Sequence, residues 1–145
     1  MNLPPGCRLT AETHPAGDDV ETLGLNLDDY NRGFLGETGY ARLALFVRDA
    51  DDTIRAGLDS DVYAKWLHVT LLWVHADLRR QGIGRSLLGR AEAFAAERGC
   101  HSARLDTFSF QAPGFYQKQG YVAFGSIAYP PGHQRIFLQK SLTRG

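Results

Sequence analysis

The chain has 145 residues, 43% of them hydrophobic and 22% charged, and its net charge is zero. That length favours one domain, here residues 1–145, with a core that needs no disulfide or metal staple. Balanced charge argues against a nucleic-acid partner, no apolar run approaches the ~20 residues of a membrane span, and MNLPPGCRLTAETHPAGDD lacks the basic-then-apolar order of a secretion signal, so a cytoplasmic protein without a membrane partner is expected.

The zero net charge hides an asymmetry. Residues 1–61 carry twelve acids and five arginines, whereas residues 62–145 carry eleven basic and four acidic side chains. A basic half suits a polyphosphate ligand and an acidic half a cationic one. The alternative is that acids such as those in Asp49-Ala50-Asp51-Asp52 only solvate loops. Cys7 and Cys100 form no CxxC pair and read as free thiols. The five histidines show no metal-ligand spacing, and no metal is expected.

In chain order, residues 21–35 carry a helical pattern of apolar residues interrupted by Gly24 and Gly33. Residues 40–48 and 53–58 read as two strands joined by an aspartate-rich turn. Residues 62–74, VYAKWLHVTLLWV, read as one long central strand whose length invites a break or a bulge. The sequence RRQGIG at 79–84 then breaks the pattern. From Ile83 the period becomes helical, with Leu87, Leu88, Ala91, Phe94 and Ala95 on one face, and Arg98-Gly99 ends the helix. Residues 102–108 form a buried strand, 111–119 a short helix with Pro113 in its first turn, and 121–124 and 134–139 two more strands. The fold class is therefore mixed α/β, with a parallel crossover between the strands at 66–74 and 102–108.

The RRQGIG segment carries the clearest chemistry. A strand enters a glycine loop that opens a helix, and the first helical amides lack internal partners and sit at the positive end of the helix dipole. Such a terminus holds pyrophosphate. Gly82 and Gly84 allow close approach of phosphate, and Arg79, Arg80 and Arg85 add forked cations. The segment is neither a Walker loop nor a GxGxxG dinucleotide fingerprint.

The stretch from Val74 to Leu88 resembles motif A of the GNAT superfamily, whose core R/Q-x-x-G-x-G/A is matched by Arg79, Gly82 and Gly84. Downstream, Ala112-Pro113-Gly114-Phe115-Tyr116-Gln117-Lys118-Gln119-Gly120-Tyr121 resembles the family's A-x-x-F-Y-x-x-x-G-F/Y segment. The similarity covers about residues 40–142. It implies a splayed, strongly twisted mixed sheet flanked by helices, with acetyl-CoA in the gap. The backbone at Leu72, Trp73 and Val74 would pair with the pantetheine arm, and the amides of Arg80, Gln81, Gly82, Ile83, Gly84, Arg85 and Ser86 would hold the pyrophosphate. By the same resemblance Ala112 and Phe115 would belong to the cofactor site. Ser109 stands where the family often has an asparagine that contacts the pantetheine. The resemblance also allows a homodimer.

Amine acetylation needs the ammonium deprotonated, the thioester carbonyl polarised and the leaving thiolate protonated. Tyr116 is the expected proton donor; its alternative is a packing role. The base is open among Asp106, His68, His75, Glu37 and ordered water. Each side chain also has a structural reading, with Asp106 as a partner for Arg104 or a backbone group. Trp66, Trp73, Phe108, Phe110, Phe115, Tyr121 and Phe124 are expected mainly in the core. The Tyr129–His133 loop either edges the acceptor site or only joins two strands. The expected acceptor is an amine on a small molecule or peptide. The competing class is a non-catalytic module that binds acyl-CoA and reports its level.

Overall fold

The computed structural model describes residues 1–143, which fall into two compact units, Met1–Glu37 and the chain from Thr38 onward. The first unit holds α1 (Gly17–Leu35), which runs unbroken through both glycines. It starts four residues before the apolar pattern does, because Asp18 and Asp19 in its first turn and Arg32 in its last suit the helix dipole. No described helix is long and apolar enough to cross a membrane.

The second unit is a six-stranded mixed sheet in the order β1-β2-β3-β4-β6-β5. Its strands are β1 (Ala41–Arg48), β2 (Ile54–Tyr63), β3 (Trp66–Val74), β4 (Ser102–Phe108), β5 (Val122–Tyr129) and β6 (His133–Ser141). Two helices join them, α2 (Ile83–Glu97) and α3 (Pro113–Lys118). Only β3 and β4 run parallel, as the intervening helical period predicts.

One strand expectation fails. Residues 62–74 are not a single strand. Val62 and Tyr63 end β2, and Ala64-Lys65 form a two-residue turn into β3, with Tyr63 opposite Trp66. Both turn residues have positive φ, 50° and 69°. That backbone matches the twist of a hairpin but normally calls for Asn-Gly or Asp-Gly, so no turn signal stood in the sequence.

α2 covers one face of the sheet. Leu87, Leu88 and Ala91 pack there with Leu58 and Val62 of β2 and Leu67 of β3. The predicted bulge falls at Thr70. Ser60 pairs with Val69 and Asp59 with Leu71, which leaves Thr70 as the extra residue. The extra residue inverts the alternation, so the core side is Leu67 and Val69 before it but Leu72 and Val74 after it. The inversion puts Trp73 on the opposite face, 47% exposed. Phe110 and Phe124 are also exposed rather than core. Tyr121 is the deeply buried aromatic, 2% exposed.

Tyr121 anchors a polar network inside this core. Its hydroxyl donates to Glu92 of α2 at 2.8 Å, and Lys140 of β6 pairs with the other Glu92 oxygen at 2.8 Å. Burial, and then the Glu92 charge, push the Tyr121 phenol far above its ordinary pKa.

The strained Ala64-Lys65 turn gives a direct test. A left-handed residue with a side chain costs roughly 1–2 kcal/mol. The A64N/K65G double variant is therefore expected to raise stability by about 1 kcal/mol and the melting temperature by a few degrees. Thermal denaturation followed by circular dichroism checks this, and an unchanged or lower melting temperature would contradict it.

Candidate active site where two strands part

β3 and β4 are joined only from Trp66–Ser102 to Val69–Leu105. Beyond that pair β3 stays on β2 as far as Val74, while β4 stays on β6 as far as Phe108. The β4-facing backbone edge of Thr70–Val74 is therefore left without a strand partner. A free strand edge presents N–H and C=O groups for an extended ligand.

The same strand end feeds the glycine loop. Its entry is fastened by Arg55 of β2, whose carbonyl accepts the His75 amide at 2.8 Å and whose guanidinium reaches Asp77 at 3.5 Å. His75 accepts the Asp77 amide on Nδ1 and so caps the 3-10 turn Ala76–Leu78. This candidate base is occupied with structure. Arg80 and Gly82 then adopt left-handed φ values of 65° and 79°, which turn the chain sharply into α2. The first bond of the helix ladder is Ser86 N–H to the Gly82 carbonyl. The amides of Ile83, Gly84 and Arg85 lie ahead of it and carry the positive end of the dipole.

The three arginines differ. Arg79 folds back, donating from Nε to the Val74 carbonyl at 3.1 Å, and so fixes the end of β3. Arg80 and Arg85 are exposed and have no ion-pair or hydrogen-bond partner among the described residues. Gln81 bonds back to the Asp77 carbonyl. The two glycines also divide their work. A Cβ at Gly82 would meet nothing within 4 Å, whereas one at Gly84 would touch Phe115 at 3.5 Å and Val74 at 3.8 Å. Gly84 thus seats Phe115 of α3 against the phosphate-type loop and the end of β3.

Tyr116 follows on the buried side of α3 and is 9% exposed. Its ring meets Phe115 and Tyr121 edge-on at 5.1 Å and 6.1 Å. Burial, and then the charge of Asp106, hold its phenol above the ordinary value. No described residue makes a hydrogen bond to its hydroxyl. Ala112, the N-cap of α3, is left-handed at φ 73° and sets the entry to that helix.

Asp106 is paired with Arg135 of β6 at 2.5 Å, not with Arg104. Arg135 also lies over the Phe108 ring. The strand pattern put Arg104 and Asp106 on one face, but only the β4–β6 register brings Arg135 into reach. Ser109 directs its hydroxyl oxygen at β6, accepting the Gln134 amide at 3.0 Å. The Tyr129–His133 turn packs its end rings edge-on against Phe108 and Phe110. Glu37 lies in the other compact unit.

His68 is different from the other base candidates. It stands one residue before the last β3–β4 pair, on the face away from α2, and lines an open cleft with Asp61, Tyr63, Trp66, Arg104 and Phe124. Its neighbours Asp61, Arg104 and Gln139 carried no signal in the sequence, because only strand register aligns them.

Known proteins with this pattern agree in kind. The sequence profile of the acetyltransferase (GNAT) domain matches residues 33–123. Blasticidin-S acetyltransferase of Streptomyces morookaense is 48% identical over 91 residues, 61% of this chain and 67% of that protein. The crystal structure of an acetyltransferase from Bacillus cereus superposes with a TM-score of 0.75 at 32% identity, covering 91% of this chain and 97% of that one. A streptothricin acetyltransferase structure from Bacillus anthracis, solved in complex with acetyl coenzyme A, shares the fold with a TM-score of 0.60 at 18% identity over 69% of this chain and 62% of that one. The parted strands, the glycine loop opening α2 and the Phe-Tyr pair on α3 are thus the frame of a known enzyme class: this chain belongs to the GNAT acetyltransferase family.

Proposed function

We propose that this acetyltransferase moves an acetyl group from acetyl-CoA to a primary amine, by direct transfer with both substrates bound. The observation that carries the reading is the end of β3, where a free strand edge leads through a 3-10 turn and the glycine loop to uncommitted helix amides flanked by Arg80 and Arg85. Those groups fit the two halves of the donor. The edge at Leu72, Trp73 and Val74 suits an amide-bearing arm, which would use the edge groups other than the Val74 carbonyl that accepts from Arg79 Nε. The amides from Gly82 to Arg85 suit pyrophosphate, while that of Ser86 already closes the first bond of the helix ladder. Phe115 lies beside that loop. Ser109 is turned to β6, so its part at the donor is to hold the end of β4 rather than to reach the arm. Bound there, acetyl-CoA supplies the activated acetyl thioester.

The chain's residues supply the rest. Backbone N–H groups of β3 near the Thr70 bulge, where pairing with β4 stops, can polarise a carbonyl, as an oxyanion hole does. Tyr116 keeps its proton throughout the neutral range, because burial and Asp106 both oppose the phenolate. It therefore acts by donating a hydrogen bond to the departing sulfur, with its proton replaced from the amine as it leaves, so that no phenolate accumulates. The acceptor is an amine on a small molecule or peptide. The relative named for blasticidin S favours the small molecule, and that compound belongs on the first acceptor panel.

Two results are expected. Gly82 tolerates a side chain in space, and aspartate adopts left-handed φ more readily than most residues. Gly82→Asp places a negative charge at the anion site and is expected to weaken acetyl-CoA binding at least tenfold in calorimetry, with circular dichroism unchanged. Failure of the wild-type protein to bind acetyl-CoA would refute the donor reading. Tyr116→Phe keeps the ring packing and is expected to lower kcat roughly 100-fold while the acetyl-CoA Kd stays within a few-fold. An unchanged kcat would remove Tyr116 from the chemistry.

A further inference from the structure

The face of the sheet away from α2 carries six charged side chains beside the point where β3 and β4 part. Four of them are closed into pairs. Arg42 binds Asp59 through two bonds of 3.1 Å and 3.2 Å, and Arg135 binds Asp106. The other two, Asp61 and Arg104, have no ion-pair or side-chain hydrogen-bond partner among the described residues. They flank His68 in one row, since Asp61 is the register partner of His68 on β2 and Arg104 its register partner on β4. Gln139 of β6 continues the row beside Arg104. Two strand spacings put the Asp61 and Arg104 backbones roughly 10 Å apart, and both residues line the same open cleft as His68. Trp66 and Phe124 give that cleft apolar walls.

We propose that the row Asp61–His68–Arg104 is the acceptor subsite and that it selects a zwitterion, a small molecule carrying both a primary amine and a carboxylate. This rests on the acetyl-transfer reading above. Asp61 attracts the ammonium, and Arg104 takes the carboxylate through its planar fork. A bare polyamine gains from Asp61 but meets the uncommitted Arg104 charge. An anion without an amine meets the reverse. The apolar walls take the body of the molecule.

His68 faces the ammonium and can accept its proton. In the transfer the nitrogen–carbonyl carbon bond forms and the carbon–sulfur bond of the thioester breaks. One ammonium proton goes to His68, and a second ends on the sulfur by way of Tyr116. The groups acting on His68 are Asp61 from β2 and Arg104 and Asp106 from β4, with α2 on the other side of the sheet. Burial, and then Arg104, hold its pKa below the ordinary value, which leaves the ring neutral and able to accept at pH 7.

The test uses matched pairs that differ by one carboxylate: L-lysine and cadaverine, L-arginine and agmatine, L-tyrosine and tyramine. Binding is read on the protein alone by NMR titration of the His68 ring, and kcat/KM is read with acetyl-CoA. The acid of at least one pair is expected to be favoured about tenfold over its amine, the worth of one charge-assisted hydrogen bond. Arg104→Gln is expected to erase that preference, and Asp61→Asn to weaken both members of the pair, each with an unchanged acetyl-CoA Kd as the check on folding. The His68 ring is expected to titrate below pH 6.5, lower still in Asp61→Asn and higher in Arg104→Gln. Equal or better use of the decarboxylated amines overturns the inference, as does a preference that survives Arg104→Gln. So does a His68 ring that responds to no member of any pair. The ring titration needs no donor, so a failure to bind acetyl-CoA sinks the transfer reading without deciding this one.

Discussion

The rest of the structure depends on how little of β3 is joined to β4. Only the residues from Trp66 to Val69 pair, and His68, the Thr70 bulge and the free edge of β3 all lie where that pairing stops. Backbone N–H and C=O groups must find partners in folded protein or in water. A sheet that continued past Val69 would satisfy those of Thr70–Val74 internally and leave no edge for a ligand. The Thr70 bulge serves the same end. It turns Leu72 and Val74 into the core behind the opening, so the strand stays anchored on the α2 side while its outer edge is free. The 3-10 turn Ala76–Leu78 and the glycine loop carry the chain from that edge to the first turn of α2, so strand amides and helix amides lie on one continuous segment.

The opening is useful only if α3 is held at a fixed distance from α2, and Glu92 does this. It receives the Tyr121 hydroxyl on one oxygen and the Lys140 ammonium on the other. Tyr121 follows α3 within three residues, and its amide bonds back to the Tyr116 carbonyl. The position of Tyr116 is thus fixed through Tyr121 to the middle of α2, and that of Phe115 through Gly84 to its first turn. A half-buried carboxylate between two donors is costly in isolation, and removing either donor leaves charge without compensation. The network therefore fixes geometry more than it adds stability, which is what a site spanning two helices requires.

Much of this was legible in the residues, because it is local. The change of period at Ile83, the loop before it, the Pro113 helix and the strand at 102–108 all follow from spacing and capping. The resemblance carried by Gly82, Gly84, Phe115 and Tyr116 supplied the family. What escaped was set by register between distant segments. Nothing in Ala64-Lys65 announces a turn, since the hairpin is imposed by the pairing of β2 with β3 on either side. Trp73 is apolar but exposed, because one bulge residue reversed its side of the sheet. Asp106 has an obvious neighbour in Arg104 two residues away, yet its partner is Arg135, across the β4–β6 ladder. Pairings of this kind depend on which strand lies beside which, and no local pattern records that.

The charge asymmetry of the chain shows the same distinction between composition and placement. An acidic first half suggested a cationic acceptor, but much of that acid is committed within the fold. Asp49 accepts the amides of Asp51 and Thr53 and pairs with Arg55, which holds its carboxyl below the ordinary pKa. Asp59 is closed by Arg42. In the second half, Arg79 is spent on Val74 and Arg135 on Asp106. What a ligand meets is the remainder: Arg80 and Arg85 at one end of the opening, and Asp61 with Arg104 on the other face near its apex. The first pair has a single sign and suits a polyphosphate. The second has both signs within one cleft and cancels at long range, so it cannot steer a substrate by net field. It acts only at contact, where a ligand must present two opposite charges at the matching separation. Selectivity at that end of the molecule is therefore a matter of geometry rather than of the chain's acidic half.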